Sequence, residues 1–178
     1  MKLVISGGPH TGKTTLYNAL EQKYSGEIAF VSEPATTVIR GLGDTAIVNN
    51  PAEFCKRCIE VSVLQESLAS EKHSTVIQDR SLVDTVAYAR RDGCDDLIPR
   101  LRRLTRAANY SQVFFCEPVG SYLNTYERYE DEKTAQMTHG MLLDAYQETG
   151  MPLVNVPAVS ISERLELISR YIDDAIAH

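Results

Sequence analysis

The sequence has no apolar run approaching the about 18 residues that a membrane-crossing helix requires, so no such helix is expected. It has no excess of positive charge either. Its 18 Lys and Arg face 24 Asp and Glu, for a net charge of −6 and a pI near 5.2, which argues against a general affinity for nucleic acid. Cysteine is scarce: Cys55, Cys58, Cys94 and Cys116 are all there is. Cys55 and Cys58 have C-x-x-C spacing, but neither a second such pair nor a histidine pair accompanies them, so zinc is poorly supported. They read instead as small apolar residues on one helix face. His10, His73, His139 and His178 show no spacing that suggests metal ligation. There is no internal repeat and no low-complexity linker, so residues 1–178 read as one domain. Met1-Lys2 leads straight into an apolar run without a leader pattern, and the expected compartment is the cytoplasm.

What is present is 43% apolar residues, enough for a real core, and one stretch that organises the rest. Lys2 to Ser6 reads as a short buried strand. Gly7-Gly8-Pro9-His10-Thr11-Gly12-Lys13-Thr14 then matches G-x-x-x-x-G-K-[ST] without a gap, Thr15 follows, and an amphipathic helix continues through Leu16 and Leu20. In such a loop the glycines open backbone angles closed to other residues, so successive N–H groups curl around an anion. The positive end of the helix points to the same place. Lys13 supplies a mobile charge to the outer phosphates of ATP, and the Thr14 hydroxyl is the expected ligand to Mg²⁺.

Strand and helix alternate from there on. Ile28 to Ser32 is a second short strand, closed by Glu33-Pro34, and proline ends its ladder so that Glu33 emerges at the carboxyl end. Residues 35–50 read as a partly helical excursion around a pocket. Pro51 then opens a long helix to about Ser70, with Phe54, Cys58, Val61, Leu64 and Leu68 at helical spacing. Ser74 to Gln78 is a third strand ending in Asp79-Arg80-Ser81. Asp79 there is either a Mg²⁺-side carboxylate or a cap for the helix that runs from Ser81 to Arg91. The helix from Leu97 to Asn109 carries Arg100, Arg102, Arg103 and Arg106 with no acid among them, either a solvated face or a phosphate-facing patch. Gln112 to Cys116 is a fourth strand, again closed by Glu-Pro. The Tyr-rich, charged stretch 119–133 that follows stands where a closing lid would be inserted, with Arg128 and Lys133 as candidates to meet triphosphate oxygens, or else forms an ion-paired surface helix. A helix from Thr134 to Glu148, a fifth strand from Leu153 to Val156 and a final helix from Ser162 to Ala175 complete the chain.

Five short, continuous apolar strands between helices imply an α/β fold in three layers, a parallel sheet with helices on both faces. Its ligand edge collects the phosphate loop, Glu33, Asp79-Arg80 and the segment after Glu117. This constellation resembles the P-loop kinases of the nucleoside and nucleotide type. Thymidylate and deoxyribonucleoside kinases carry a similar Glu-Pro and an acid-Arg pair, and the spacing to YQETG…PLVNVP is similar to a small AAA-type ATPase/kinase group that includes the ribosylnicotinamide kinase domain. The resemblance implies a P-loop NTPase fold with sheet order 2-3-1-4-5 and a lid. It implies Lys13 on the β and γ phosphates, Mg²⁺ held by Thr14 and by Asp79 through water, Arg80 between donor and acceptor, and Glu33 as base toward an acceptor hydroxyl. Two positions depart from those families: Ser32 precedes Glu-Pro where thymidylate kinases have Arg, and Ala35-Thr36-Thr37 follows it without an aromatic partner. The expected activity is transfer of the γ-phosphoryl group of ATP to a nucleoside, nucleotide or similar small acceptor. A kinase acting on a nucleic-acid hydroxyl and a regulatory P-loop ATPase are the alternatives. A guanine-reading Asn/Thr-Lys-x-Asp motif is missing, which excludes a Ras-like switch. The long helix also offers a surface for a homodimer.

Overall fold

A computed structural model describes residues 1–42, 50–119 and 132–177. Its strands are β1 (Lys2–Ser6), β2 (Ala29–Val31), β3 (Val76–Asp79), β4 (Gln112–Cys116) and β5 (Leu153–Val156). They form one parallel sheet in the order β2-β3-β1-β4-β5, the order expected for a P-loop NTPase of the nucleoside-kinase type. The helices among the described residues are α1 (Lys13–Lys23), α2 (Pro34–Leu42), α3 (Pro51–Lys72), α4 (Leu82–Arg91), α5 (Ile98–Ala108), α6 (Glu132–Gln147) and α7 (Ile161–Ile176).

Alternation along the strands builds two cores. Leu3, Ile5, Ile77 and Phe114 pack with Leu16 and Leu20 of α1 and Ile168 and Ile172 of α7. Val4, Val113 and Phe115 point the other way, onto Val83 and Ala87 of α4 and Leu142, Ala145 and Tyr146 of α6. The strands are covered on both faces, which is why they read as unbroken apolar runs. A third cluster joins Cys55 and Ile59 of α3 to Leu82 and Val86 of α4 and Leu101 of α5.

Three expectations are corrected in detail. Pro34 does not merely end β2; it is the first residue of α2, a position where its missing N–H costs nothing. Asp79 is the last residue of β3 rather than the residue after it. On α3 the buried stripe is Cys55, Cys58, Ile59, Ser62 and Glu66, while Leu64 is 59% exposed and Leu68 49%. The stripe is turned about one residue from the apolar spacing because two of its members are polar and satisfied internally. Glu66 accepts from the Tyr110 hydroxyl at 2.7 Å and from Ser62 at 3.1 Å, and pairs with Lys2 at 3.3 Å.

Candidate nucleotide and acceptor site

The phosphate loop leaves β1 after Ser6 and turns back at the mouth of the sheet. Gly7 has φ +144°, and a Cβ there would stand 2.7 Å from the Cys116 carbonyl oxygen, so only glycine lets the chain pass over the end of β4. Gly12, at φ +67°, is the N-cap residue of α1. No side chain caps α1, whereas Asn50, Ser81 and Ser160 cap α3, α4 and α7. The leading N–H groups of α1 are thus left for an anion. The curl is held from within by Thr11 Oγ1, which donates to the Gly8 carbonyl at 2.9 Å. It is also held from outside. The Gly8 N–H donates to His139 Nδ1 of α6 at 3.3 Å, Val119 N–H donates to the His10 carbonyl at 3.0 Å, and Arg164 Nη1 of α7 donates to the Thr11 carbonyl at 2.7 Å. Thr14 and Thr15 are exposed in the first turn of α1. Pro9 and His10 form the tip, where His10 holds φ +59°.

Lys13 is buried and pairs with Asp79 Oδ1 at 2.5 Å. Burial pushes the Asp79 carboxyl above its ordinary range, more than the adjacent Lys13 draws it down. A hydroxyl on Thr14 and a carboxylate on Asp79 are the hard oxygen donors that suit Mg²⁺, which keeps most of its waters and takes few protein ligands. Among the described residues no cluster of three or more His, Cys, Asp or Glu forms an all-protein cage. The donors present therefore fit a cation carried in with phosphates.

Arg80, next along, also has a positive φ of 68°. Of the three non-glycine residues so placed among the described residues, Asn109 is an ordinary helix C-cap, and the other two, His10 and Arg80, lie in this site. Arg80 Nε donates to Glu33 Oε1 at 2.6 Å, its Nη1 to Asp84 Oδ1 at 3.2 Å, and its guanidinium lies 5.4 Å from the Tyr88 ring centre. Burial works against its charge, but Tyr88, Glu33, Asp84 and Asp79 outweigh that, and it stays cationic. Glu33 follows the opposite balance. Burial raises it, yet Arg80, Lys13 and the Thr36 hydroxyl together leave it below its ordinary value, so it is ionised at neutral pH.

Asp84, unforeseen in the sequence, is the hub behind this pair. It is 1% exposed and accepts from Ser6 Oγ at 2.6 Å, from the Ser81 N–H at 2.8 Å, from Arg80, and from the Tyr146 hydroxyl. Its sequence signal was the S-x-x-D capping box of Ser81 and Asp84. His139, Tyr88 and Arg164 were equally unforeseen.

Beside the Arg80–Glu33 pair opens a cavity of about 220 Å³ between α2, α3 and α4. Phe54, Cys55, Cys58, Tyr88 and Cys94 give it soft and aromatic walls, and Glu33, Arg80 and Asp84 line its charged end. All four cysteines are free, and burial pushes Cys55 up to about 11 and Cys58 up to about 12. Cys55, Cys58 and Cys94 line this cavity. The arginine helix gains its acid from elsewhere: Arg102 of α5 and Arg90 of α4 converge on Glu148 at 3.3 and 2.6 Å. Arg128 and most of the expected lid, residues 120–131, lie outside the described residues.

Fold and loop together define a P-loop domain with a fold of the nucleoside-kinase type. The chain belongs to the AAA domain family AAA_28, whose model matches residues 2–164. No curated protein matches it in sequence. Among solved structures it is similar to NadR protein in complex with NR, at 20% identity and a TM-score of 0.70 over 87% of this chain and 43% of that one. It is also similar to NadR with NAD and AMP-PNP, at 19% identity and a TM-score of 0.62 over 87% and 44%. Deoxyadenosine kinase from M. mycoides, with dCMP and dCDP, aligns at 15% identity and a TM-score of 0.63 over 98% of this chain and all of that one. The chain thus spans less than half the length of the NadR chains it matches. No helix among the described residues is long and apolar enough to cross a membrane.

Proposed function

We propose that the protein is an ATP- and Mg²⁺-dependent kinase that transfers the γ-phosphoryl group to a hydroxyl of a nucleoside or a related small acceptor. The observation that carries this reading is adjacency. The Lys13–Asp79 pair of the phosphate loop stands beside an Arg80–Glu33 pair that opens into a separate, aromatic-walled cavity. One pocket for phosphates and another for an acceptor, with an arginine between them, is what in-line phosphoryl transfer requires. Lys13 would pair with the β and γ phosphates of a bound nucleotide, and Thr14 and the Asp79 carboxylate would hold Mg²⁺, Asp79 through its water. The cation, when bound, neutralises charge building on the transferred group. Arg80, held by two carboxylates, faces that group as a fixed positive charge.

Glu33 lines the acceptor cavity and Asp79 does not, which favours Glu33 as the group that orients the hydroxyl and takes its proton. Both Glu33 oxygens already accept a bond, from Arg80 and Thr36, so the carboxylate is fixed before the acceptor enters. A nucleoside suits the cavity's mixed walls, its base against Phe54 and Tyr88 and its sugar toward Glu33. If the acceptor carries a phosphate as the nucleophile, Glu33 orients the sugar instead.

ADP release from ATP and Mg²⁺ across a panel of nucleosides, nucleotides, nicotinamide riboside and oligonucleotides tests the proposal. Release that depends on one small acceptor and is abolished by Lys13→Ala is expected. A slow rate indifferent to every acceptor, or a Lys13→Ala variant as fast as wild type, refutes it.

A further inference from the structure

Arg164 lies in the first turn of α7, far in sequence from the phosphate loop, and is 2% exposed. Its Nη1 donates to the Thr11 carbonyl. Its Nε and Nη2 are buried and meet no oxygen acceptor. The acids nearest it on α7 are engaged elsewhere, Glu163 with Ser160 and Glu166 with Arg170. None of the ion pairs among the described residues includes Arg164. A guanidinium does not shed its proton in a protein, and a buried charge without a partner is costly. The interior therefore carries a fixed positive charge that no carboxylate among the described residues offsets.

Its position gives that charge an outlet. A Cβ on Gly12 would stand 3.1 Å from Arg164 Nη1, so the guanidinium lies directly against the peptide that leads into α1. In a trans peptide the C=O and N–H point in opposite directions. A donor fixed on the Thr11 carbonyl therefore turns the Gly12 N–H away from Arg164, and it polarises that N–H into a stronger donor. The buried Cys116 thiol, pushed up to about 11 by burial, is drawn back by Arg164, through its charge and as a hydrogen-bond donor, and by the Lys13 charge, so both cations act on one spot beneath the loop.

We propose that Arg164 is a buried counter-charge for the bound polyphosphate, acting through the Thr11–Gly12 peptide, and that the nucleotide supplies the compensation this guanidinium lacks within the protein. The proposal rests on the nucleotide-site reading above. It makes Arg164 a positioning residue, with a signature that a structural arginine would not give. Removing it should weaken nucleotide binding without destabilising the ligand-free protein.

Calorimetric titration with ATP, ADP and AMP, each with Mg²⁺, and with tripolyphosphate, on the full chain carrying Arg164→Lys, Arg164→Gln or Arg164→Met, tests it. Thermal melts without ligand run alongside. Loss of the charge should weaken ATP on the order of tenfold, the size of one charge pair across roughly 10 Å at an effective dielectric of about 20. The loss should shrink from ATP to ADP to AMP. Arg164→Lys should stay close to wild type, while Arg164→Gln, which keeps a donor for Thr11 but no charge, should behave like Arg164→Met. The ligand-free melting temperature of the Gln and Met variants should equal or exceed that of wild type. Equal losses for AMP and ATP, an Arg164→Gln variant with full affinity, or ligand-free melting well below wild type would each overturn the inference. Wild-type protein that binds none of the probes would refute the nucleotide site itself, a distinct failure that takes this proposal with it.

Discussion

Replacing Asp84 by alanine should be the most damaging single change in the interior that leaves every backbone element intact. The carboxylate is 1% exposed and gathers the Ser6 hydroxyl, the Ser81 N–H, the Tyr146 hydroxyl and one arm of Arg80. Three neutral donors lose this acceptor; the Tyr146 hydroxyl can turn to Ser81 Oγ, 2.8 Å away, while the Ser6 hydroxyl faces other buried surface. Each stranded buried donor costs about 1–3 kcal/mol, and removing one partner of a buried ion pair costs about 3–5 kcal/mol. These terms are not additive, because Arg80 keeps Glu33 and the cavity admits water at its open side. A net loss of roughly 4–6 kcal/mol is therefore expected, a large share of the about 5–15 kcal/mol that holds a domain. At about 2–4 °C per kcal/mol for a chain of this size, the melting temperature should fall by roughly 10–20 °C. Asp84→Asn keeps one acceptor oxygen and should fall about half as far. Differential scanning calorimetry on both variants measures this. An Asp84→Ala melt within about 3 °C of wild type, near 1 kcal/mol, would refute the view that this carboxylate organises the site.

Gly8→Ala should destabilise the protein by about 1–3 kcal/mol and weaken ATP binding, because its Cβ would stand 2.6 Å from the His139 Cβ. Gly140→Ala, one residue from that histidine with open space around it, should stabilise α6 by about 0.5–1 kcal/mol; equal effects in urea unfolding would refute the packing argument. His139 is held below its ordinary 6.5 by burial, which outweighs Glu117, and its neutral Nδ1 accepts from Gly8. The support it gives is complete above 6.5 and lost as pH falls through the lower folded value, so the KM for ATP should rise in acid. His139→Asn, which keeps an acceptor near the Nδ1 position, should flatten that rise, and His139→Leu should raise KM at every pH. Glu33 sits below its unfolded value of 4.5, so its contribution is complete above 4.5 and disappears as pH falls further. Glu33→Gln should therefore lower stability at pH 7 while leaving the acid limb of the melting profile shallower than in wild type. Phe54→Ala should raise the acceptor KM with little change in the KM for ATP, and a change in the ATP value alone would place the acceptor elsewhere.

Much of this architecture was legible in the residues because the strands and the loop are local objects. The G-x-x-x-x-G-K-T run, its flanking strand and helix and the Glu33-Pro34 ending of β2 follow from short patterns that obey turn chemistry, while the sheet order was implied by the resemblance to P-loop kinases. What stayed hidden was set by contacts far apart in sequence. Asp84 reads as half of a capping box, which it is, but Ser6 and Tyr146 reach the same oxygens from 78 and 62 residues away. The stripe of α3 was misjudged for a related reason. Ser62 and Glu66 look like solvent residues until Tyr110 and Lys2 are seen to satisfy them in the interior. His139 and Arg164 carry no local signature of their tie to the loop.

Those two ties have a consequence for how the molecule comes into being. The loop that opens the chain is gripped by residues 131 and 153 positions further on. On a ribosome the glycines, the lysine and their strand are made before α6 and α7, and they have neither anchor until those helices have emerged and docked. Loop closures of that span are entropically expensive and come late. The loop thus takes its final shape as α7 settles, and a nascent chain stalled before Arg164 would hold every residue of the motif without that shape.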